Sequence, residues 1–474
     1  MAKLQTGKAL NIRETPIPGF KVIDLPVHGD NRGWFKENWQ REKMAALGLP
    51  DFGPVQNNIS FNATVGVTRG IHAEPWDKYI SVATGRVFGA WVDLREGPSF
   101  GATYYCEIDP SVAVFVPRGV GNAFQALEEN TAYTYLVNDH WSAEAQSDYT
   151  FLNLADETAD IPWPIPLSEG ELSTKDETHP RLAEVEPMKP KRTLVVGANG
   201  QLGRALAQLW EDRDDVDYVA RDQVDLARPV TLESVSWSQY GTVINAAAYT
   251  AVDGAETPEG RAEAWAVNAA GPAALARIAT QHGLCLVHVS SDYVFDGERE
   301  SHDELEDFAP LGVYGQSKAA GDLAVATTPA HYILRTSWVV GDGKNFVTTM
   351  ATLAEKGIDP TVVADQFGRL TFASELARAV DHLLRSTADY GAYNMSNGGE
   401  VASWADIAAR VFKLSGHDPA RVSPVSTEEY YAGKMGIAPR PLNSALDLAK
   451  VKSTGFAPED QFVALARYVS SLSS

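Results

Sequence analysis

The chain has 474 residues, 44% of them hydrophobic and 22% charged, which suits two or three domains of about 150 residues. This ordinary composition excludes collagen-like, disordered and disulfide-stapled classes. With 62 Asp and Glu against 40 Lys and Arg, the formal charge of -22 argues against nucleic acid or an anionic membrane as a partner.

The opening stretch MAKLQTGKALNIRETPIPGF lacks the apolar core of a signal peptide. No run reaches the ~18 apolar residues of a membrane span. Cys106 and Cys285 fall in apolar, strand-like runs, TYYCEI and GLCLVHV. Buried free thiols in a reducing cytoplasm are the expectation.

Up to about residue 190, β-rich runs alternate with Gly, Pro and Asn turns: NNISFNATVGVTRG, YISVATGRVFGAWVDL, AVFVPRGVGNAFQAL and TAYTYLVNDHW. This predicts an antiparallel sandwich or barrel, with one short helix around residues 40–48. Arg69 and His72 end one strand, Lys78 opens the next, Asn122 lies in the turn PRGVGNAF, and Tyr135 is mid-strand in AYTYLV. Alternate residues of a strand share a face, so several of these can converge. On spacing alone, a structural histidine is the commoner reading of His72.

The polar stretch RLAEVEPMKPKR (181–192), with Pro187 and Pro190, predicts a linker. We expect a first domain over 1–185, a linker over 186–191 and a second domain over 192–474. Beyond the linker the texture becomes strand, glycine turn, helix, strand, which predicts a parallel sheet with helical crossovers. The acidic stretch GERESHDELEDFAP (297–310) predicts a solvated surface loop.

Strand Thr193–Val196 runs into Gly197-Ala-Asn-Gly200-Gln201-Leu202-Gly203, and a helix-like segment follows. Glycines at such a junction let backbone N–H groups and a helix N-terminus meet a pyrophosphate. The alternative is a tight turn with close packing. Arg221 and Asp222, after the next strand, fall at the adenosine ribose. Arginine can clasp a 2′-phosphate and aspartate prefers free hydroxyls, so NADP and NAD both stay open, with Arg221 favouring NADP. Asp225 and Leu226 would sit by the adenine. Thr242–Asn245 opens into AAAYT, whose small residues permit close approach to the cofactor.

Tyr314 and Lys318, four residues apart, share a helix face. The ammonium is expected to lower the phenol's pKa. The tyrosine can then pass a proton to a carbonyl oxygen as hydride arrives. Ser291, at a strand end upstream, could share that oxygen. Glycine turn, strand-end serine and Tyr/Lys helix together resemble the extended short-chain dehydrogenase/reductases.

The motifs NAAAYTAVD (245–253), SSDYVFDG (290–297), VYGQSK (313–318), RTSWV (335–339), DQFG (365–368) and RPLNSALD (440–447) resemble the dTDP-4-dehydrorhamnose reductase family. The resemblance implies a Rossmann-type, doubly wound parallel sheet with a small C-terminal substrate subdomain. It implies Ser291, Tyr314 and Lys318 as catalytic residues and NADPH or NADH as cofactor. Gly200, Gln201, Leu202, Asp225, Leu226, Ala248, Tyr249 and Thr250 would surround the cofactor, with Asp292 and Trp338 at the sugar nucleotide. Members often carry Mg²⁺ between subunits, and the sequence places no ligands for it. The family usually has Thr at Ser291, which keeps the hydroxyl, and Pro at Leu370.

In the first half, DNRGWFKENW (30–39), VQNN (55–58), TRGIH (68–72), GRVFGAWVDL (85–94), SFG (99–101) and LSTKD (172–176) resemble the dTDP-4-dehydrorhamnose 3,5-epimerases, of cupin-type jelly-roll fold. By that resemblance His72 is a base paired with Asp176. Tyr135 is the opposing acid, Lys78 stabilises an enolate oxygen, and Arg32, Gln56, Asn58 and Arg69 hold the nucleotide. Asn122 stands where the family usually has a second His; it can hydrogen-bond a phosphate or sugar oxygen but carries no charge. Together the halves imply consecutive steps on a dTDP-sugar, epimerisation at C3 and C5 and then reduction at C4, in a homo-oligomer. Another nucleotide-deoxysugar, or a first half that only binds sugar nucleotide, are the alternatives.

Overall fold

The computed structural model describes residues 6–141, 146, 148–386 and 388–472. They divide into two compact units that meet in sequence at Pro190 and Lys191.

The first unit is built from two antiparallel sheets. One runs in the order Asn11–Glu14, Lys21–Asp24, Val112–Val116, Lys78–Thr84, Thr131–Val137, Gln56–Asn62. The other runs Thr150–Phe151, Thr68–Ala73, Val120–Ala126, Val87–Asp93, Thr103–Ile108. Period-2 alternation sends Ile80, Val82, Val114 and Tyr133 from the first sheet, and Val87, Trp91 and Phe124 from the second, into one core. The predicted short helix is Arg41–Ala45, where the Gln40 side chain accepts the Lys43 N–H at 2.6 Å.

The stretch read as a linker packs on this unit. Leu182–Glu184 is a 3₁₀ turn. Met188 is buried and donates its N–H to the Leu94 carbonyl at 2.8 Å, while its own carbonyl accepts from Glu96 at 3.0 Å.

The second unit centres on a six-stranded sheet in the order Val216–Val219, Arg192–Val196, Tyr240–Asn245, Cys285–Ser291, His331–Thr336, Gly391–Met395. Every neighbouring pair is parallel. Alternation divides the apolar strand residues between two faces. Val195, Ile244 and Val287 pack with Leu202, Leu206, Leu376 and Val380 of helices Gln201–Leu209 and Ala373–Arg385. Leu194, Val196, Val243 and Leu286 pack with Leu275, Ala279 and Val325 of helices Gly271–His282 and Val313–Val325. With both faces covered, the strands read as continuous apolar runs. The strand order reverses between Arg192–Val196 and Tyr240–Asn245, which opens a crevice at their carboxyl ends. A further core joins Val340, Met350, Phe372, Ile407, Phe412 and Leu465, from helices Phe346–Glu355, Trp404–Leu414 and Gln461–Leu472 and the short strands beside them.

The acidic stretch 297–310 is not simply a solvated loop. His302 is fully buried, stacks on Phe295 at 4.8 Å and bonds Glu306 at 3.0 Å, and the Glu304 carboxylate accepts the Asn394 N–H at 2.9 Å. These polar residues are partnered, which is what allows them inside. Cys106 and Cys285 are free and partly buried, and burial pushes their thiols up to about 11 and about 12. Among the described residues no helix is long and apolar enough to cross a membrane.

Candidate active sites

In the first unit both sheets line a cavity of about 1230 Å³. His72, Asp176, Lys78, Tyr135, Arg69 and Asn122 all face it. Asp176 comes from the short helix Thr174–Glu177, capped by Ser173, whose hydroxyl accepts the Asp176 N–H at 3.2 Å. Its Oδ1 lies 2.9 Å from His72 Nε2. Burial raises the Asp176 carboxyl, but the hydrogen bonds from His72 and Ser173 and the two neighbouring imidazoles together outweigh it and hold the group below its usual range. An ionised carboxylate only accepts, so the shared proton sits on Nε2, which makes Nδ1 the nitrogen that can take up a proton.

Lys78 is buried, with Nζ 2.7 Å from Glu74 Oε2 and 5.8 Å from the centre of the Tyr135 ring. Burial, assisted by the Glu74 charge and opposed by Arg69, pushes the Tyr135 phenol up to about 12. That hydroxyl therefore carries its proton at neutral pH. Asn122 pairs across the sheet with His72. Its Oδ1 accepts from Trp91 Nε1 at 2.9 Å and from the Tyr133 hydroxyl at 3.0 Å. The amide is thereby fixed, with the NH₂ as the group it can offer.

Three residues expected at the nucleotide are not brought to the cavity within this chain. Arg32 is exposed on a hairpin and pairs with Asp30 at 2.5 Å. Gln56 donates to Asn58 at 2.8 Å on the edge strand, and neither lines the cavity. Arg69 does line it, steadied by a 3.1 Å bond from Nε to Asn62.

In the second unit, Gly197 has φ +95°, and a Cβ there would stand 2.7 Å from the Ala247 nitrogen. A Cβ on Gly203 would lie 2.4 Å from the Gly197 carbonyl oxygen. Gly200 starts helix Gln201–Leu209 with no side-chain cap. The N–H groups of Gln201, Leu202 and Gly203 thus stand in the uncapped first turn, and this cradle fits a dinucleotide pyrophosphate. Arg221 is mostly exposed and bonds Glu263 at 3.0 Å. Asp225 is buried and already engaged, accepting from the Ala227 N–H and from Arg228 Nε, each at 3.0 Å. Leu226 is buried too. The loop that carries Ala248, Tyr249 and Thr250 follows strand Tyr240–Asn245.

Ser291 ends its strand and donates to Asp292 Oδ1 at 3.0 Å, while its oxygen accepts the Tyr293 N–H at 3.2 Å. Tyr314 and Lys318 lie on helix Val313–Val325. The expectation that Lys318 acidifies the phenol is not met. Burial pushes Tyr314 up to about 12, with the nearby Ser291 hydroxyl opposing and the charges of Asp292 and Asp322 adding. Lys318 Nζ instead donates to the Val289 carbonyl at 2.6 Å and stands 3.5 Å from His288 Nε2. Asp322, one turn along, accepts from Arg335 Nε at 3.1 Å. One of the three ammonium N–H groups is thus directed to the strand behind it.

Asp292 is buried, and burial, opposed by Ser444 and Ser291, raises its carboxyl from 3.8 to about 6. A folded-state value above the unfolded one favours folding while the group is protonated, and that contribution is lost as pH rises from about 4 through about 6. Asp292→Asn should therefore match the parent in thermal stability near pH 3.5 and exceed it above pH 6, by at most about 3 kcal/mol. A stability difference that did not change with pH would contradict the assignment.

Residues 191–474 match the family described as RmlD substrate binding domain, and residues 14–184 match dTDP-4-dehydrorhamnose 3,5-epimerase. The chain belongs to both families, one after the other. The Streptococcus pyogenes serotype M6 protein described as an RmlC homolog is 53% identical over 190 residues, 39% of this chain and 95% of its own length. The dTDP-4-dehydrorhamnose reductase of Aggregatibacter actinomycetemcomitans is 38% identical over 287 residues, 57% of this chain and 95% of its own. A crystal structure of the Bacillus anthracis dTDP-4-dehydrorhamnose reductase in complex with NADP matches with a TM-score of 0.54 at 34% identity, covering 59% of this chain and 98% of that one.

Several residues of the epimerase and reductase halves were not picked out from sequence. Glu74 holds Lys78 and also accepts from Trp76 Nε1 at 2.6 Å. Its only signal was an acid four residues before a lysine. In the reductase half the Asn268 side chain accepts the Tyr249 N–H at 2.9 Å, donates to the Tyr249 carbonyl at 3.0 Å and reaches Ser317 at 3.1 Å. It ties the loop 246–250 to the Tyr314 helix, and a lone polar residue in the small-residue run AVNAAGPAAL was its trace. Trp338, at φ +46°, stacks on Trp404 with ring centres 3.8 Å apart. Leu370 is buried and donates its N–H to Gln461 at 2.8 Å, a bond that proline could not make. Among the described residues, no group of three or more His, Cys, Asp or Glu side chains converges in the reductase half to suggest where Mg²⁺ would bind.

Proposed function

We propose that the chain converts dTDP-4-dehydro-6-deoxy-D-glucose to dTDP-L-rhamnose in two steps, one per unit. The observation that carries the proposal is the pairing of two chemically complementary sites in one chain. One is a His–carboxylate dyad sharing a cavity with a neutral phenol and an ammonium. The other is a serine and tyrosine at the carboxyl end of a parallel sheet, beside a pyrophosphate cradle.

In the keto sugar, C3–H and C5–H are both α to the C4 carbonyl and therefore acidic. His72 Nδ1 takes the proton while Asp176 steadies the imidazolium that forms. Lys78 faces the negative charge that develops on O4. Tyr135, still protonated, returns a proton to the opposite face, which inverts the centre. Asn122 donates to a sugar or phosphate oxygen, and Arg69 pairs with the diphosphate.

In the second unit the uncapped first turn Gln201–Gly203 meets the pyrophosphate, with Gly197 and Gly200 shaping the loop. A bound nicotinamide supplies the hydride. Ser291 and Tyr314 hold the C4 oxygen. Tyr314 surrenders its proton as alkoxide charge builds, and an alkoxide is the stronger base even against a phenol near 12. Lys318, anchored behind, fixes the helix turn, and Asp292 and Trp338 border the sugar nucleotide. Arg221, mostly exposed just beyond strand Val216–Val219, would favour NADPH by pairing with a 2′-phosphate. Arg221→Ala should raise KM for NADPH about 10–100-fold and leave KM for NADH within a factor of about two. Steady-state kinetics with both cofactors checks this, and equal effects would remove the role.

We further place the first unit among the cupin-type jelly rolls, a reading its two antiparallel sheets support. We propose a cytoplasmic homo-oligomer, supported by Ile59 and Phe61, which are 68% and 60% exposed on an edge strand. The decisive experiment is to incubate the full chain with the keto sugar and NADPH and identify the product by NMR. dTDP-L-rhamnose is expected; a D-configured 6-deoxy sugar would mean the first unit does not epimerise.

A further inference from the structure

The dyad has a third neighbour. His179 follows helix Thr174–Glu177 and lines the same cavity. Its ring stacks on Phe151 at 4.7 Å and meets the His72 ring edge-on at 5.4 Å. The Leu152 carbonyl hydrogen-bonds one of its nitrogens, and Nδ1 is buried with no partner. A carbonyl accepts, so the bonded nitrogen is Nε2–H, and Nδ1 is a bare lone pair.

His72, Asp176 and His179 each offer a ligand atom, and these lie within 4.8 Å of one another. Ligand atoms around a tetrahedral zinc stand about 3.3–3.5 Å apart, so side-chain rotation closes the set. Two imidazoles and a carboxylate are a borderline-soft N,N,O set, which suits Zn²⁺ and its neighbours over Mg²⁺ or Ca²⁺. The cavity leaves room for water to complete the coordination.

We propose that His72, Asp176 and His179 form a reversible site for a divalent transition-metal ion such as Zn²⁺, and that its occupancy stops epimerisation. Either ring nitrogen of His72 gives this result. Coordination at Nε2 displaces the proton shared with Asp176, and coordination at Nδ1 occupies the lone pair that takes the substrate proton. Reduction, carried by the other unit, continues. The inhibitory effect rests on the epimerase reading; the binding does not.

The test uses the full chain with CoCl₂ as a spectroscopic probe and ZnCl₂ as the inhibitor. The parent should bind one Co²⁺ per chain with visible d–d absorption, and His179→Ala should weaken that binding by more than the roughly 10–100-fold that losing an outer-shell partner costs. Zinc should suppress solvent deuterium exchange at C3 and C5 in the parent at concentrations that leave the His179→Ala protein exchanging normally. NADPH oxidation on a pre-epimerised ketone should persist in both. His179→Gln, which keeps a polar side chain against Leu152, should behave as the alanine variant and guards against a folding defect. Unchanged cobalt affinity in both variants, or equal zinc sensitivity of parent and variants, would overturn the proposal. Absence of exchange in the metal-free parent would count against the epimerase reading, and the cobalt comparison would still decide the site.

Discussion

Tyr314→Phe should lower ketone-dependent NADPH oxidation roughly 10²–10⁴-fold, the usual worth of a positioned general acid. The change removes a single oxygen, so the ring keeps its edge-on contact with Tyr293, centre to centre 5.5 Å. Ser291 remains to hold the substrate oxygen, which leaves a residual rate and sets the upper bound on the loss. Because the loss arises in the transition state, kcat should fall while KM for the cofactor stays close to the parent value. Deuterium exchange at C3 and C5 should be untouched, since the exchanging groups belong to the other unit. Stopped-flow absorbance and NMR on the same preparation measure both. Loss of exchange along with oxidation would show that the sites are not separate.

His72→Ala should give the mirror image. Exchange at C3 and C5 should fall by about 10²–10⁴-fold, while a ketone already in the L-configuration is still reduced. The substitution leaves Asp176, only 7% exposed in its side chain, without its main partner. That costs the first unit about 1–3 kcal/mol of stability. Surviving reductase activity shows that the chain is still produced and folded in its second unit, and circular dichroism checks the first. A variant that exchanges at the parent rate would transfer the base to another residue.

How much of this could be read in the sequence follows from the range of each interaction. The glycine turn and the Tyr314–Lys318 spacing are local. Strand, turn and helix are fixed by residues within a few positions, and the structure places them in the expected elements. The dyad is not local. His72 and Asp176 are 104 residues apart, and no periodicity joins them; only the family motifs TRGIH and LSTKD pointed to the pair. Lys318 shows the opposite limit. Its place on the helix face was legible, but the direction of its ammonium was set by Val289 and His288 on a strand packed behind it. Composition misled at 297–310, where an acidic average concealed the fully buried His302 and its bond to Glu306. Asn268 was hidden because its role lies in two hydrogen bonds to the Tyr249 backbone, and backbone partners leave no residue-type signature in the sequence.

One reaction run in heavy water reports on both sites at once. The full chain is incubated in D₂O with dTDP-4-dehydro-6-deoxy-D-glucose and unlabelled NADPH, and the product is examined by NMR and mass spectrometry. The product should be dTDP-L-rhamnose carrying deuterium at both C3 and C5 and ordinary hydrogen at C4, because solvent supplies the first two positions and the cofactor the third. A reduced sugar with no deuterium at C3 and C5 would contradict it, since the ketone would then have reached the reductase without ever becoming an enolate.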